Sequence, residues 1–232
     1  MKRLKYLFFI IIVSVAVGTL LSQQNPTKGL VLSKTGQVFV IRGGQRIELH
    51  VNDRLQQGDE LETMGGSTVS LQLSNGVACQ IGSSTRMQID RFSRSGEVVN
   101  ARFNLLNGSV ATGARMPPGS SIQVATPTSI ASVRGTEFIV EAANSTTTNV
   151  LVNNGTVNVQ SGENQTDVPA GQKVVADTTG FHQAILDKFD QQKFEIFKQF
   201  EAAKKANLQA VIDQLERNQQ LIQQQRENSL PH

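Results

Sequence analysis

Side chains that could perform acid, base or nucleophilic chemistry are few and scattered in this chain of 232 residues. A serine nucleophile needs a neighbouring base, and only three histidines are present. His50 lies in an alternating segment typical of a surface strand, and His182 lies at the start of a predicted helix. Asp59, Glu60 and Glu62 form an acidic cluster. Paired carboxylates serve glycoside hydrolysis, but this cluster is more typical of a solvated turn.

The single cysteine excludes an intramolecular disulfide and a multi-cysteine zinc site. Cys79 alternates with polar residues between Val77 and Ile81, which predicts a buried thiol. No nucleophile elbow and no phosphate-binding loop occurs in the sequence. We therefore predict no catalytic residue, no metal site and no cofactor, and we expect a protein that is not an enzyme.

Charge and aromatic content exclude further classes. Lys and Arg number 22 against 19 Asp and Glu, and the excess is accounted for by Lys2, Arg3 and Lys5. The chain beyond these residues is neutral overall, which excludes the basic stripe of a nucleic-acid-binding protein. With no tryptophan and one tyrosine, an aromatic platform for sugars is also disfavoured.

The N-terminus has the pattern of a targeting segment. The three positive residues precede an apolar run from Leu7 to Leu21. Residues 4–22 could just cross a bilayer as an anchor, whereas the small residues Ala16-Val17-Gly18 would suit cleavage by a signal peptidase. Residues 1–24 are therefore predicted to be a signal peptide or a signal anchor. In both cases the remainder is expected outside the cytoplasm, in the periplasm.

Residues 29–176 show the period-2 alternation of half-buried strands. Val69, Leu71 and Leu73 alternate with polar residues, and Ile122 and Val124 flank Gln123. We predict a mainly β domain of many short strands, either an irregular β-solenoid or a two-lobed β-sandwich.

Glycines punctuate these strands. Asn107-Gly108 and Asn154-Gly155 have the residue types preferred in type I′ hairpin turns. A weak internal repeat is also present, because Gly36-Gln37-Val38, Gly108-Ser109-Val110 and Gly155-Thr156-Val157 each open a strand. Its spacing is irregular, which is not typical of a strict solenoid array.

The pattern changes sharply after Gly180, beyond which no glycine occurs. Residues 181–228 are predicted to form one long amphipathic helix. Its apolar stripe, the predicted packing or assembly face, consists of Leu186, Phe189, Ile196, Phe197, Phe200, Leu208, Val211 and Leu215. The helix could dock on the β domain, form a coiled coil with a partner or a second copy, or lie on a membrane surface.

A resemblance to a known family rests on the central run Val133-Arg134-Gly135-Thr136-Glu137-Phe138, which follows Thr126-Pro127-Thr128. This run resembles the signature of the FecR domain family. Gly58-Asp59 followed by Thr63, and the later Asn-Gly turns, are similar to the rest of that family's pattern over about residues 30–176.

The resemblance implies an extracytoplasmic all-β domain of a bacterial envelope. Type members receive a signal from an outer-membrane receptor and carry a cytoplasmic anti-sigma segment before the membrane span. Here only about five residues precede the apolar run, so we expect no sigma-binding segment. From the residues alone, the signature is either a fold-defining turn or a contact for a partner.

These observations favour a protein-binding module that acts in envelope signalling or scaffolding. The expected partner is an envelope protein of unknown identity, with self-association through the C-terminal helix as a further option. The alternative is a structural protein that binds the cell wall or its glycans.

Overall fold

The computed structural model describes residues 29–73, 78–113, 118–133 and 135–199, together with Ala202 and Arg217. Over these residues the chain is mainly strand, as predicted, with one helix, α1, at 188–199; Ala202 and Arg217 are also helical. The predicted N-terminal segment, residues 1–24, lies outside the described part. None of the described helical residues belongs to a helix long and apolar enough to span a bilayer.

The strands are numbered β1–β17 in chain order. Their bounds are Gly29–Thr35, Val38–Arg42, Gln45–Glu48, Arg54–Leu55, Glu60–Thr63, Thr68–Leu73, Ala78–Ile81, Arg86–Ser95, Val98–Gly113, Ser121–Ala125, Ile130–Val133, Glu137–Asn144, Thr147–Asn154, Thr156–Ser161, Asn164–Pro169, Gln172–Asp177 and Gly180–Ile185.

The strands pair into two sheets. Sheet A has the order β4-β1-β6-β7-β9-β12-β13-β16-β17. Sheet B has the order β3-β2-β5-β8-β9-β10-β11-β14-β15. The long strand β9 belongs to both, because Asn107 pairs with sheet B and Gly108 pairs with sheet A. Among the described strands, only β9 and β10 pair in parallel.

One apolar core fills the space between the sheets. Alternate residues of both sheets point into it, and most of these are fully buried, including Val69 and Leu71 of sheet A and Ile122 and Val124 of sheet B. Each such side chain contributes about 1.5–3 kcal/mol through burial. The chain is thus mainly β with many short strands, as predicted, and its two sheets face each other across this core as in a β-sandwich.

The chain crosses repeatedly from one sheet to the other, and the weak sequence repeat marks three of these crossings. Gly36, Gly108 and Gly155 each lie at a crossing, where the backbone touches a neighbouring crossing. A Cβ atom at any of these glycines would overlap a serine or threonine side chain of that neighbouring crossing. The three hydroxyl residues are Ser67, Thr85 and Thr136, all buried. At two crossings the contact includes a hydrogen bond, from Gln37 N–H to Ser67 Oγ (2.9 Å) and from Ser109 N–H to Thr85 Oγ1 (3.0 Å).

The hairpin interpretation of two Asn-Gly pairs was wrong. A type I′ turn requires positive φ at both central residues, yet Gly108 and Gly155 have positive φ while Asn107 and Asn154 do not. Asn107-Gly108 bends one continuous strand, and Asn154-Gly155 joins strands of different sheets. Glycine is needed at 108 and 155 because the backbone there touches Thr85 and Thr136 of a neighbouring crossing.

Candidate functional site

The signature segment forms the crossing from β11 in sheet B to β12 in sheet A. Val133 and Phe138 anchor its two ends in the core and are fully buried. Arg134 lies outside the described residues. Gly135 has φ +78° with open space around it, so the backbone conformation, and not a close contact, is what requires glycine here. Thr136 is buried against Gly155 of the neighbouring crossing.

On its outward side, the signature segment lies near the helix α1. Glu137 accepts a hydrogen bond from Asn153 Nδ2 (2.9 Å). The pKa of Lys198 is raised, chiefly by its hydrogen bond to Glu195 and to a smaller extent by attraction to Glu137. The signature therefore joins the core on one side and, through Glu137, lies near Lys198 of α1 on the other.

The start of the helix differs from the sequence prediction. Residues 181–185, expected to be helical, belong to β17 (Gly180–Ile185), which pairs with β16. The helix begins at 188 because Asp187 and Asp190 cap it reciprocally: Asp190 N–H donates to Asp187 Oδ1 (2.9 Å) and Asp187 N–H donates to Asp190 Oδ2 (3.2 Å). The β domain thus extends to Ile185, nine residues beyond the predicted end at 176.

Two ion-pair groups fasten α1 to the outer face of sheet A. Lys173 Nζ of β16 lies 2.5 Å from Asp190 and 3.1 Å from Asp187. Lys193 Nζ lies 2.6 Å from Glu141 of β12. The hydrogen bond to Asp190 is the largest cause of the raised pKa of Lys173. The pKa of Asp187 is lowered, mainly by the backbone N–H of Asp190 and next by Lys173.

Apolar packing fastens the same helix. Phe194 and Leu186 form a small cluster with Ile139 and Leu151, which point outward from sheet A. Phe197 is also buried and lies so close to Gly113 of β9 that a side chain there would overlap its ring. Sequence reasoning included Leu186 and Phe197 in the stripe but missed Phe194. Its spacing of three from Phe197, which the stripe included, was the signal available in the sequence.

Other residues of the predicted stripe lie on a second side of the helix. Phe189 is 71% exposed and Ile196 is 62% exposed. Their spacing of seven places them on one face, and Ile185 at the end of β17 is 79% exposed. Phe200, Leu208, Val211 and Leu215 lie outside the described residues. The described residues of the predicted stripe therefore divide between two faces of the helix. One face packs on sheet A, and the other leaves its apolar side chains exposed.

A groove runs beside this exposed face. Its floor and walls include Ala111 and Ile139 of sheet A, Ile196 of α1 and the Lys193–Glu141 pair, around a cavity of about 250 Å³. A second cavity of about 350 Å³ adjoins it and also contacts Glu141. The lining of the two cavities is part apolar and part small and polar.

The acidic cluster of Asp59, Glu60 and Glu62 does not form a common site, because each carboxylate pairs with a different arginine. The prediction of a solvated turn was wrong for Asp59, which is buried. Asp59 is buried and accepts two hydrogen bonds of 2.7 Å from Arg42. Two further ion pairs on the same sheet join Glu60 to Arg86 and Glu62 to Arg46. These carboxylates are held by separate arginines and serve the fold.

The remaining candidates are also placed by the structure. Cys79 is fully buried in the core, as predicted. His50 is exposed in the turn after β3, and His182 is exposed on β17, where Thr179 lies 2.8 Å from its Nε2. Within the described ranges, no group of three or more His, Cys, Asp or Glu side chains could hold a metal ion.

Residues 59–158 match a family model described as FecR protein, which confirms the predicted resemblance. Two crystal structures of a candidate anti-sigma factor from Parabacteroides distasonis are similar in fold, with TM-scores of 0.47 and 0.48 at 18% sequence identity. Each match covers 55% of this chain and 60% of that protein. A search of curated proteins found no match.

Proposed function

We propose that this chain, which carries a FecR-like domain, is a non-enzymatic protein-binding module in envelope signalling or scaffolding. The family match over residues 59–158 suggests envelope signalling. The finer part of the proposal, that the chain acts by holding a protein partner, rests on the helix-bearing face of sheet A.

The observation that carries the proposal is the two-sided apolar character of α1. Phe194 and Phe197 are buried on sheet A, yet Phe189 and Ile196 remain 71% and 62% exposed on the same helix. A helix needs only one apolar face to dock on a domain, so the second face is available for another molecule.

The support beneath that face is rigid enough to present it. The ion pairs of Lys173 and Lys193 hold α1 at two points along its length. A fixed helix presents Ile196 next to the groove at little further cost in conformational entropy. The partner that fits is a protein segment with apolar side chains, placed across Phe189 and Ile196 and into the groove.

Localisation forms part of the proposal. Envelope FecR-like proteins act outside the cytoplasm, and the sequence pattern of residues 1–24 would export or anchor this chain. The β domain would then meet its partner in the periplasm, near the inner membrane if the segment is retained.

The test places a photo-crosslinking amino acid at position 192 of α1, in the full chain expressed in its own envelope. We expect a discrete crosslinked protein that is lost when Phe189→Glu or Ile196→Glu is added. Ile47→Glu is the matched control, because Ile47 is a 45% exposed isoleucine on the far edge strand β3. A crosslink that survives Phe189→Glu and Ile196→Glu, or no crosslink, contradicts the proposal.

A second measurement addresses the alternative of a cell-wall protein. The full chain and its Phe189→Glu variant are sedimented with purified peptidoglycan. Binding that is equal for both proteins, together with no protein crosslink, would favour the structural role in the wall. Failure to co-sediment leaves the protein-binding role as the better account of the exposed helix face.

A further inference from the structure

The open edges of the two sheets differ in how well they are protected against pairing with another strand. Among the described strands, β3 and β15 end sheet B, and β4 and β17 end sheet A. Natural edge strands are protected by charge, by proline or by being very short. β3 carries Arg46 and Glu48, β15 carries Asp167 and Pro169, and β4 has two residues.

β17 has none of these protections. Its six residues, Gly-Phe-His-Gln-Ala-Ile, include no acidic or basic side chain apart from His182 and no proline. Its last residue, Ile185, is 79% exposed, the largest exposed fraction among the exposed large apolar side chains of the described residues. An uncharged edge strand ending in a bare isoleucine is typical of a strand-pairing surface.

The backbone of β17 shows which residues would form the new hydrogen bonds. Leu186 N–H donates to the carbonyl of Gly171, and the antiparallel register continues with Ala184 opposite Lys173 and His182 opposite Val175. In an antiparallel pair the hydrogen-bonded residues alternate, so His182 and Ala184 direct their backbone groups to β16. Phe181, Gln183 and Ile185 therefore direct theirs to the open edge.

We propose that β17 pairs antiparallel with β17 of a second copy of this chain, with Gln183 opposite Gln183 on a two-fold axis. In this register Phe181 lies opposite Ile185 of the second copy, and the reverse pair occurs across the axis. All three residues are those whose backbone groups face the open edge, so each would exchange hydrogen bonds with its opposite residue.

The side chains of β17 favour pairing with a second copy of the same strand. The two aromatic–aliphatic pairs cover the exposed Ile185, and cross-strand pairs of this kind stabilise antiparallel sheets. The same surface patch serves both molecules, as a two-fold interface requires.

The edge is also held ready for pairing. Gln183 Nε2 donates to Thr166 Oγ1 (2.8 Å) and to the carbonyl of Asp167 (3.2 Å) in β15. Phe181 is packed against the main core. These contacts fix β17 against the end of sheet B, so that pairing requires little reordering of the strand.

The first test is disulfide trapping of Gln183→Cys in the full chain. Residues directly opposite in an antiparallel pair lie within the Cα separation that a disulfide spans. The native Cys79 is fully buried and does not compete. We expect a covalent dimer from Gln183→Cys and none from Ile47→Cys, the matched control on β3.

Adding Ile185→Lys to Gln183→Cys should abolish the covalent dimer, and adding Ile47→Lys should leave it unchanged. Absence of a dimer from Gln183→Cys, or a dimer that survives Ile185→Lys, overturns the proposal. A Gln183→Cys disulfide to a different protein overturns it as well, because the edge would then accept a foreign strand.

A second measurement guards against misfolding of the cysteine variant. The full chain in detergent is compared with its Ile185→Lys variant by sedimentation velocity. We expect a dimer that becomes a monomer in the variant, since Ile185 makes few contacts within its own chain. A wild-type monomer at micromolar concentration overturns the proposal. The helix residues Phe189 and Ile196 are untouched, so this result is separable from the test of the proposed function.

Discussion

The outer faces of the two sheets differ in polarity and in what covers them. On sheet A the outward residues Ile139 and Leu151 are apolar and are buried by Phe194 of α1. On sheet B the outward residues form polar pairs, such as Gln123 with Ser132 (3.4 Å) and Asn158 with Asp167 (2.7 Å). The sandwich therefore has one face closed by a helix and one face left to solvent.

The difference shows what an apolar residue at an outward position signifies. In β10, Ile122 and Val124 alternate with Gln123, and the polar residue faces solvent on sheet B. In β13, the run Val150–Val152 is buried throughout, because its middle residue lies under the helix. The continuous apolar run of β13 thus corresponds to the helix layer that covers it.

The crossing at Gly108, on which both sheets depend, should show the largest effect. A Cβ at Gly108 would lie 2.5 Å from the backbone Cα of Thr85, and φ is +89°. Gly108→Ala should destabilise the domain by more than about 4 kcal/mol, measured by urea denaturation.

Gly135→Ala is the matched control for backbone conformation. Its φ is similar but the space around it is open, so the expected loss is about 1–2 kcal/mol. Equal losses for the two variants would show that the contact between crossings contributes nothing.

The helix cover on sheet A should show the next effect. Phe194→Ala leaves a cavity over Ile139 and Leu151 and should cost about 3 kcal/mol of docking free energy. Limited proteolysis should then cleave 186–199 much faster than in the wild type. Phe189→Ala, at a 71% exposed position, should change the cleavage rate little. A Phe194→Ala chain as resistant as the wild type would contradict the docking role.

The ion pairs of sheet B should differ in how much each contributes to the free energy of unfolding, according to burial. Arg42→Met leaves the buried carboxylate of Asp59 with the N–H of Gln56 and no charged partner in the described contacts, and should cost about 3 kcal/mol. Arg86→Met breaks a more exposed pair with Glu60 and should cost less than about 1 kcal/mol. Urea denaturation of both variants tests the ranking, and similar losses would contradict it.

The smallest effect is the pH dependence of helix docking. Asp187 has a lowered pKa, so its contribution is present above the ordinary aspartate pKa of about 3.9 and is lost as pH falls below it. Lys173 has a raised pKa, so its contribution is present below about 10.4 and is lost as pH rises above that.

The difference in melting temperature between the wild type and Lys173→Met should therefore be constant from pH 5 to about pH 9 and shrink at both extremes. Circular dichroism of the full chain measures it. A difference that persists unchanged at pH 3 would show that Lys173 acts through packing of its stem, independently of the carboxylates.

Much of the fold could be predicted from the sequence. Alternation located the strands and the inward residues, since successive side chains in a strand point to opposite faces. The family signature also located a segment that proved to be a crossing, because its glycine and flanking core residues reveal a bend between buried strands. The start of the helix was misplaced, although the Asp187–Asp190 cap was present in the sequence as a signal.

The candidate site was only partly predictable. The amphipathic stripe identified the helix that carries it, but Phe194 was missed and Phe189 was grouped with the buried residues. A helical period shows that a face exists, while the width of the face that docks depends on the partner surface. Here that surface is limited to Ile139, Leu151 and their neighbours on sheet A.

By itself, the sequence determined the strand character of residues 29–176, the inward positions and the bends at glycine, because these depend on local backbone geometry and on burial. The tertiary structure alone decided which sheet each strand joins, that Asn107-Gly108 bends a strand in place of closing a hairpin, and which side of α1 remains exposed. Those features depend on pairing between residues far apart in the chain, and a local pattern carries no record of its distant partner.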